Sequence, residues 1–224
     1  MDSANRFRVV AIVVAVLTAL YASASLFSEV FSLRAPRLPA DPSKIVSRPI
    51  NSTARWAATI SPFRSDLDAN YALTEALMTL RPENAVLSAE QVQKNADSRE
   101  SVTRLLKAAP YNSALWLVLA LLRAQQRNLG GRPLVEALKM SYFTAPNDAQ
   151  MMPLRLYAAT HTDALADSDL QELARGDVRL MLTRQSDLKA SVLSAYRAGS
   201  SLGKKFIEDA AQSTDPEFAS LLRK

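Results

Sequence analysis

The sequence predicts an all-α protein in which one N-terminal transmembrane helix is followed by antiparallel helix pairs. Three observations lead to this fold class. Residues 9–27 contain no charged residue, glycine or proline, and as a helix they match the roughly 30 Å hydrocarbon thickness of a bilayer. The chain has only five glycines, none of them before Gly130. Its remaining Leu- and Ala-rich runs are separated by short segments containing turn residues, as in helical proteins.

Residues 9–31 are predicted to be a permanent single-pass membrane anchor, preceded by a polar tail of residues 1–8. A cleaved secretory signal is the alternative, because Arg6 and Arg8 precede the apolar run and residues 22–24 form a small-x-small cleavage pattern. We favour the anchor because nothing breaks the helix before that pattern and apolar residues continue beyond it. A buried helix of a soluble fold is disfavoured because the apolar residues lack amphipathic spacing.

The orientation of the span does not follow from counting basic residues, because arginines stand on both sides of it. A short basic tail before a first apolar segment favours a cytoplasmic N terminus. The long C-terminal part is therefore expected on the non-cytoplasmic side of the membrane.

Composition limits the chemistry that the chain can carry. The absence of cysteine excludes disulfides, thiol catalysis and cysteine-based metal sites. Residues 1–60 hold seven Lys/Arg against three Asp/Glu, whereas residues 61–224 hold 20 against 19. The basic excess thus surrounds the span, where anionic lipid headgroups are its natural partner. Because the domain is nearly neutral, no nucleic-acid partner is expected.

Residues 32–60 are predicted to be a proline-rich linker followed by a helix that leads into the domain, which spans residues 61–224. Closely spaced prolines favour an extended backbone in the linker. Hydrophobic periodicity and turn residues in the domain predict a series of helices. These cover residues 65–80, 89–109, 114–127 and 202–212, and others begin near 133, 147, 168, 187 and 216.

Polar residues mark several of the predicted helix starts. Capping boxes are predicted at residues 88–91 and 168–171, and Ser113 is predicted to cap the helix over 114–127. That helix is apolar on almost every side and is expected to be buried, although it is too short for a second span. The polar stretch 95–101 is expected to face solvent.

An internal repeat supports stacked helix pairs. Pro110 followed by Trp116 aligns with Pro146 followed by Met152, at an offset of 36 residues. The segment has a turn proline at Pro110, an early aromatic residue at Trp116, a small residue at Ala120 and a closing proline at Pro146. In this arrangement it resembles the tetratricopeptide-repeat family. The family repeat is about 34 residues long, and Gly130 with its neighbouring glycine looks like the insertion.

The resemblance implies a short helical-repeat array whose curved surface binds a peptide or helix of a partner protein. The residues expected to form the repeat signature and an interaction surface are Pro110, Trp116, Ala120, Tyr142, Pro146 and Tyr157. Aromatic residues at helical spacing also suit a core, so this alternative stays open for Trp116, Tyr142 and Tyr157. The layout also resembles that of small bacterial membrane-anchored proteins of cell-envelope polysaccharide assembly. This resemblance implies a location in the bacterial inner membrane, with the C-terminal domain in the periplasm.

No catalytic residue, cofactor-binding residue or metal ligand is predicted. His161 is the only histidine and lacks an accompanying nucleophile motif or phosphate-binding loop. The carboxylates between residues 163 and 172 lack the spacing of a calcium loop and suit a helix start.

The first functional hypothesis is a scaffold or regulator, rather than an enzyme, in a bacterial envelope assembly such as polysaccharide synthesis or export. Its partners would be other membrane or envelope proteins, and the bilayer through residues 9–31. One alternative is an accessory structural subunit bound through its transmembrane helix. The second alternative is a secreted periplasmic binding protein, released by cleavage near Ala24. An envelope enzyme with His161 as its base is the hypothesis from another functional class.

Overall fold

Ten α-helices and two short 3-10 helices make up the secondary structure in the computed structural model, which describes residues 3–31, 38–39, 65–80, 87–126 and 131–223. No strand occurs among these residues, and the predicted all-α class is confirmed. The α-helices are α1 (Ser3–Phe31), α2 (Ser65–Thr79), α3 (Ala89–Ala108), α4 (Ser113–Ala124), α5 (Arg132–Thr144), α6 (Met152–His161), α7 (Ser168–Thr183), α8 (Lys189–Ala198), α9 (Ser201–Thr214) and α10 (Pro216–Leu222). The 3-10 helices cover Asp163–Ala166 and Ser186–Leu188.

The first helix, α1, exposes its apolar side chains. Within it, Phe7–Phe27 is long and apolar enough to cross a membrane, and the apolar window of this segment has no buried residue. Ile12 and Leu20 are each 63% exposed, although such residues normally lie in a core. Two of its hydroxyl groups bond within the helix, since Thr18 Oγ1 donates to the Val14 carbonyl and Ser23 Oγ to the Ala19 carbonyl, each at 2.8 Å. The helix therefore presents an apolar outer surface with little unpaired polarity.

Most domain helices pack against a helix adjacent in sequence and also against the next helix but one. Contacts join α2 to α4, α4 to α6 and α6 to α8, and others join α5 to α7 and α7 to α9. The pairs α2–α3, α4–α5, α6–α7 and α8–α9 also pack together. Ser141 Oγ, near the end of α5, donates to the Ser113 carbonyl at the start of α4 at 3.1 Å, so these two helices are antiparallel. The tetratricopeptide-repeat resemblance itself stays a prediction.

The core is centred on α4, as its apolar sequence predicted. Seven apolar residues of this helix are no more than 4% exposed; they are Leu115 and the six consecutive residues Leu117, Val118, Leu119, Ala120, Leu121 and Leu122. The helix can bury more than one face because α2, α3, α5 and α6 all pack against it. Two of the predicted repeat residues, Ala120 and Tyr142, belong to this core.

Eight of the nine predicted helix starts in the domain lie within two residues of the observed ones. The helix predicted to begin near residue 147 instead begins at Met152, because Pro153 has no N–H and suits only the first turn of a helix. Two predicted caps are also corrected. Ser88 and Gln91 form the predicted capping box, Pro216 begins α10 after the capping Asp215, and α9 begins within one residue of its predicted position. Asn112, rather than Ser113, caps α4, because its Oδ1 accepts from the Leu115 N–H at 3.1 Å.

The second predicted capping box, at residues 168–171, does not form. Asp167 is the N-cap of α7, and its Oδ1 accepts from the Leu170 N–H at 2.9 Å. The Gln171 side chain instead donates to the Leu165 carbonyl at 2.6 Å. A carboxylate at the N-cap bonds the helix start and also faces the positive end of its dipole.

The polar stretch 95–101 of α3 is partly buried, contrary to expectation. Asn95 is 1% exposed, and its Nδ2 donates to the Leu122 carbonyl at 3.1 Å. Carbonyls in the last turn of a helix lack intrahelical donors, so Asn95 satisfies one at the end of α4. Ser98 is buried too, within 3.1 Å of Thr79 Oγ1 on α2.

The predicted linker and following helix at residues 32–60 lie outside the described residues, except for Leu38 and Pro39. Leu38 is half-buried and packs against the domain core. The proposed insertion at Gly130 also lies outside them, although Gly131 is described, with a φ of 73°. The domain boundaries at residues 31/32 and 60/61 stay predictions.

Candidate binding cleft

A surface cleft of about 650 Å³ opens between α5 and α7, beside the turn that joins α5 to α6. Pro146 of the turn and Leu173 and Leu180 of α7 supply apolar lining. Tyr142 of α5 and Asp177 of α7 reach the cleft from the interior, although these residues are only 2% and 3% exposed. The α5–α7 cleft therefore has a buried polar floor between partly apolar walls.

Arg155 of α6 lies behind this floor and is fully buried. Its Nε donates to Ser141 Oγ at 3.0 Å, and its Nη2 donates to the carbonyls of Ser141 and Ala145. Both carbonyls lie at the C-terminal end of α5, where backbone oxygens have few intrahelical donors. The Arg155 cation is thus held by charge-assisted hydrogen bonds and by the negative end of the α5 dipole.

The same arginine connects the cleft to the centre of the domain. Ser141 Oγ, which accepts from Arg155, donates in turn to the Ser113 carbonyl. A hydrogen-bonded chain therefore runs from α6 through α5 to α4. The Arg155 Cζ atom also lies 4.7 Å from the centroid of the Tyr142 ring, which fixes the ring by a cation–π contact.

Three polar atoms around the cleft floor have no hydrogen-bond partner among the described residues: Tyr142 Oη, Asp177 Oδ2 and Arg155 Nη1. Tyr142 and Asp177 are close enough to influence each other's ionisation, but these two atoms do not form a hydrogen bond of normal geometry. Buried polar atoms are seldom left unpaired in native proteins. The floor therefore has hydrogen-bonding capacity for a molecule that enters the cleft.

The protonation of the floor depends on burial. Burial raises the pKa of Asp177 from its ordinary value of 3.8 to about 7, while the Arg155 charge and the neighbouring Tyr142 act in the opposite direction. Burial also raises the pKa of Tyr142 well above its ordinary value. Asp177 therefore changes charge close to neutral pH, whereas Tyr142 keeps its proton and remains a donor.

Charged residues of α7 and Arg184, which directly follows this helix, line the outer part of the cleft. Glu172, Arg179 and Arg184 are all exposed there. Glu172 lies 3.9 Å from Arg175, a neighbour on the same helix. The lining thus holds two guanidinium groups and two carboxyl groups, those of Glu172 and Asp177, and the buried Arg155 behind the floor adds a third guanidinium. The arrangement is suited to holding a polar or charged ligand.

The structure places two of the predicted interaction residues, Tyr142 and Pro146, in the same cleft. Ala120 lies apart from the cleft, in the core of α4. Trp116 and Pro110 contact each other at the α3–α4 turn, where Trp116 Nε1 donates to the Pro110 carbonyl at 2.7 Å. The predicted residues are therefore divided among the cleft, the core and a turn.

Tyr157, the sixth predicted residue, is half-buried on α6 with its ring centroid 3.8 Å from that of His161. His161 Nδ1 lies 3.1 Å from the Tyr157 carbonyl. Of the acidic residues that follow this helix, Asp167 and Asp169 both pair with Lys139 of α5. The described ranges contain no group of three or more His, Asp or Glu side chains placed to hold a metal ion.

Sequence reasoning missed Arg155, Ser141 and Asp177. Asp177 occurs at helical spacing with the buried Ala174 and Met181, so its carboxyl group stands on the apolar face of α7. Arg155 stands between two leucines in an apolar run. A charged residue at a position with core periodicity is the signal that could have found both.

Comparisons of this chain with protein-family models, with curated proteins and with solved structures find no match.

Proposed function

We propose that this protein is a membrane-anchored protein–protein interaction module that scaffolds or regulates a bacterial cell-envelope assembly. The exposed apolar surface of α1 is the observation that carries the proposal. Exposed apolar patches beyond a few hundred Å² are rare on soluble monomers and mark a membrane or a partner. Because the helix has the length of a bilayer span, a membrane is the environment that suits it best.

The interaction role is supported by the domain. Helices that pack with their next-but-one neighbours build extended layers, and such layers offer long surfaces to partner segments. The α5–α7 cleft adds a local site with unpaired buried polar atoms. Polysaccharide synthesis or export as the pathway, and the periplasm as the location of the domain, rest on the layout of the sequence alone.

Membrane retention tests the anchor. Two arginines in the middle of α1, at Val13 and Leu17, would each cost about 2.5–3.5 kcal/mol on insertion scales. We expect the native chain to stay in the membrane pellet after an alkaline wash, at full length on an immunoblot. The Val13→Arg, Leu17→Arg double variant should be lost from that fraction. A native chain released by the wash, or shortened by cleavage near Ala24, would refute the anchor.

Orientation and the role of α1 in binding need separate tests. A C-terminal phosphatase fusion that is active only outside the cytoplasm reports the side on which the domain lies. Replacing α1 by an unrelated transmembrane helix then separates the scaffold from an accessory subunit bound through its span. Retention of the same cross-linked partners after the exchange supports the domain as the interaction module, whereas their loss supports the alternative.

A further inference from the structure

We propose that the α5–α7 cleft binds an acidic segment of a protein partner, whose carboxylates are held by Arg179 and Arg184 and by the donors of the cleft floor. The inference rests on the proposed function, because it identifies the chemistry of the partner that the interaction module would recognise. It concerns one cleft within the domain and does not depend on whether α1 crosses a membrane.

Arg179 and Arg184, the two arginines at the rim of the cleft, are available for a ligand. Several other exposed cations of the domain are paired: Arg132 with Glu136 at 2.9 Å, for example. Arg179 and Arg184 form no such ion pair with any described residue, although both line the cleft. A guanidinium group binds a carboxylate through two parallel hydrogen bonds, a geometry that suits glutamate and aspartate side chains.

The floor of the cleft offers further hydrogen-bond donors to the same ligand. Tyr142 Oη keeps its proton and has no described partner, so it can donate to an incoming carboxylate or carbonyl oxygen. Asp177 is also a donor when it is protonated. Arg155, with its free Nη1 behind them, adds positive potential to the floor. A ligand that reaches these groups would satisfy buried polar atoms that are otherwise unpaired.

The lining favours a peptide over an acidic saccharide. Leu173, Leu180 and Pro146 give apolar contacts that suit side chains between the acidic residues of a peptide. Tyr142 is the only aromatic residue among the described lining residues, and its ring is 98% buried and covered by Arg155, so it offers no open face for stacking on a sugar. Glu172 has Arg175 beside it on the same helix and a protonated Asp177 carries no charge, so the two lining arginines favour an acidic peptide over a basic one.

Asp177 makes the site sensitive to pH. Tyr142 from α5 and Arg155 from α6 face its carboxyl group, and Glu172 and Arg179 lie along its own helix. Asp148 interacts electrostatically with Arg155. A negative Asp177 repels a ligand carboxylate, whereas a neutral one donates to it. Binding of an acidic segment should therefore weaken as pH rises through neutrality.

The test measures binding of a short fluorescein-labelled peptide rich in glutamate to the full chain in neutral detergent micelles, by fluorescence anisotropy. A lysine-rich peptide of the same length and an oligosaccharide of uronic acids are the competing probes. Arg179→Gln and Arg184→Gln remove the rim charges singly. Arg197→Gln is the matched control, because it removes an exposed arginine of α8 outside the cleft. Circular dichroism verifies that each variant is folded.

We expect saturable binding of the glutamate peptide, weakened by about five- to ten-fold in each rim variant and less than about two-fold in the control. Binding should weaken by about five-fold between about pH 6 and 8 in the native chain and should be constant with pH in Asp177→Asn. Absence of binding, equal loss in Arg197→Gln, or preference for the lysine peptide or the uronate would overturn the inference. If the Arg179→Gln variant still cross-links to the same partners, the proposed function stands but those partners do not bind in this cleft.

Discussion

Replacing Asp177 by asparagine should change how the stability of the domain depends on pH. The asparagine side chain has nearly the same shape as the carboxyl group but cannot ionise. In the native chain the pKa of Asp177 is about 7 when folded, against an ordinary value of 3.8 that applies when the chain is unfolded. Between these two values the folded state holds a proton that the unfolded state has released.

The sign and size of the effect follow from this difference. Because the folded state binds more protons than the unfolded state, the free energy of unfolding falls as pH rises, by about 1.4 kcal/mol per pH unit. The fall begins near pH 4, where unfolded aspartate ionises, and ends near pH 7, so the total is about 4 kcal/mol. Asp177→Asn lacks this loss and should therefore be the more stable protein at about pH 8, by about the same amount.

The assay is urea unfolding of the full chain in neutral detergent, followed by far-ultraviolet circular dichroism between about pH 4 and 8. Asp209→Asn is the matched control, because Asp209 is an exposed aspartate within α9. Taking the difference between variant and native chain cancels the contributions of other carboxyl groups. If Asp177→Asn and the native chain give parallel curves over this range, the buried position of Asp177 in the cleft floor is wrong.

Four further substitutions test the packing of the domain by the same unfolding measurement. Gly203→Ala should lower the free energy of unfolding by about 2–4 kcal/mol, because an added Cβ would lie 2.2 Å from the Thr160 carbonyl oxygen. In Gly176→Ala the added Cβ meets no atom within 4 Å, so this substitution should raise the free energy of unfolding by about 0.5–1 kcal/mol. A neutral Gly203→Ala would show that α6 and α9 are not in contact. Leu117→Ala, in the fully buried part of α4, should lower the free energy of unfolding by about 3–5 kcal/mol. The control, Leu221→Ala, changes an exposed leucine and should lower it by less than about 1 kcal/mol. Equal losses in the two variants would contradict the central position of α4.

Helix content was predictable where local chemistry decides it. Prolines, glycines and capping side chains act within one turn of the helix they bound, so the Ser88 capping box and the start of α10 follow from the sequence. Where two adjacent side chains can both act as caps, the local pattern does not choose between them. Asn112 and Asp167 caps were missed for this reason.

The floor of the cleft was not predictable in the same way, because its residues meet only through tertiary packing. Ser141, Arg155 and Asp177 come from three helices, and nothing local indicates that they adjoin. Asn95 illustrates the same limit, since its amide satisfies a carbonyl of α4 that is 27 residues away along the chain. Tyr142 and Pro146 were selected for other reasons, as an aromatic residue suited to an interaction surface and as the closing proline of a repeat, and the cleft contains both.

The contact between Gly203 and Thr160 limits where this chain can be shortened. Ser200 N–H and Oγ both donate to the Thr160 carbonyl at 2.9 Å, so the start of α9 is fastened to the end of α6 across 40 residues. In an open-ended array each pair touches only its neighbours, and terminal pairs can be removed one at a time. Here α9 also packs against α7 and α8, so deleting it would uncover three helices at once. The smallest fragment that keeps the fold must therefore extend through α9.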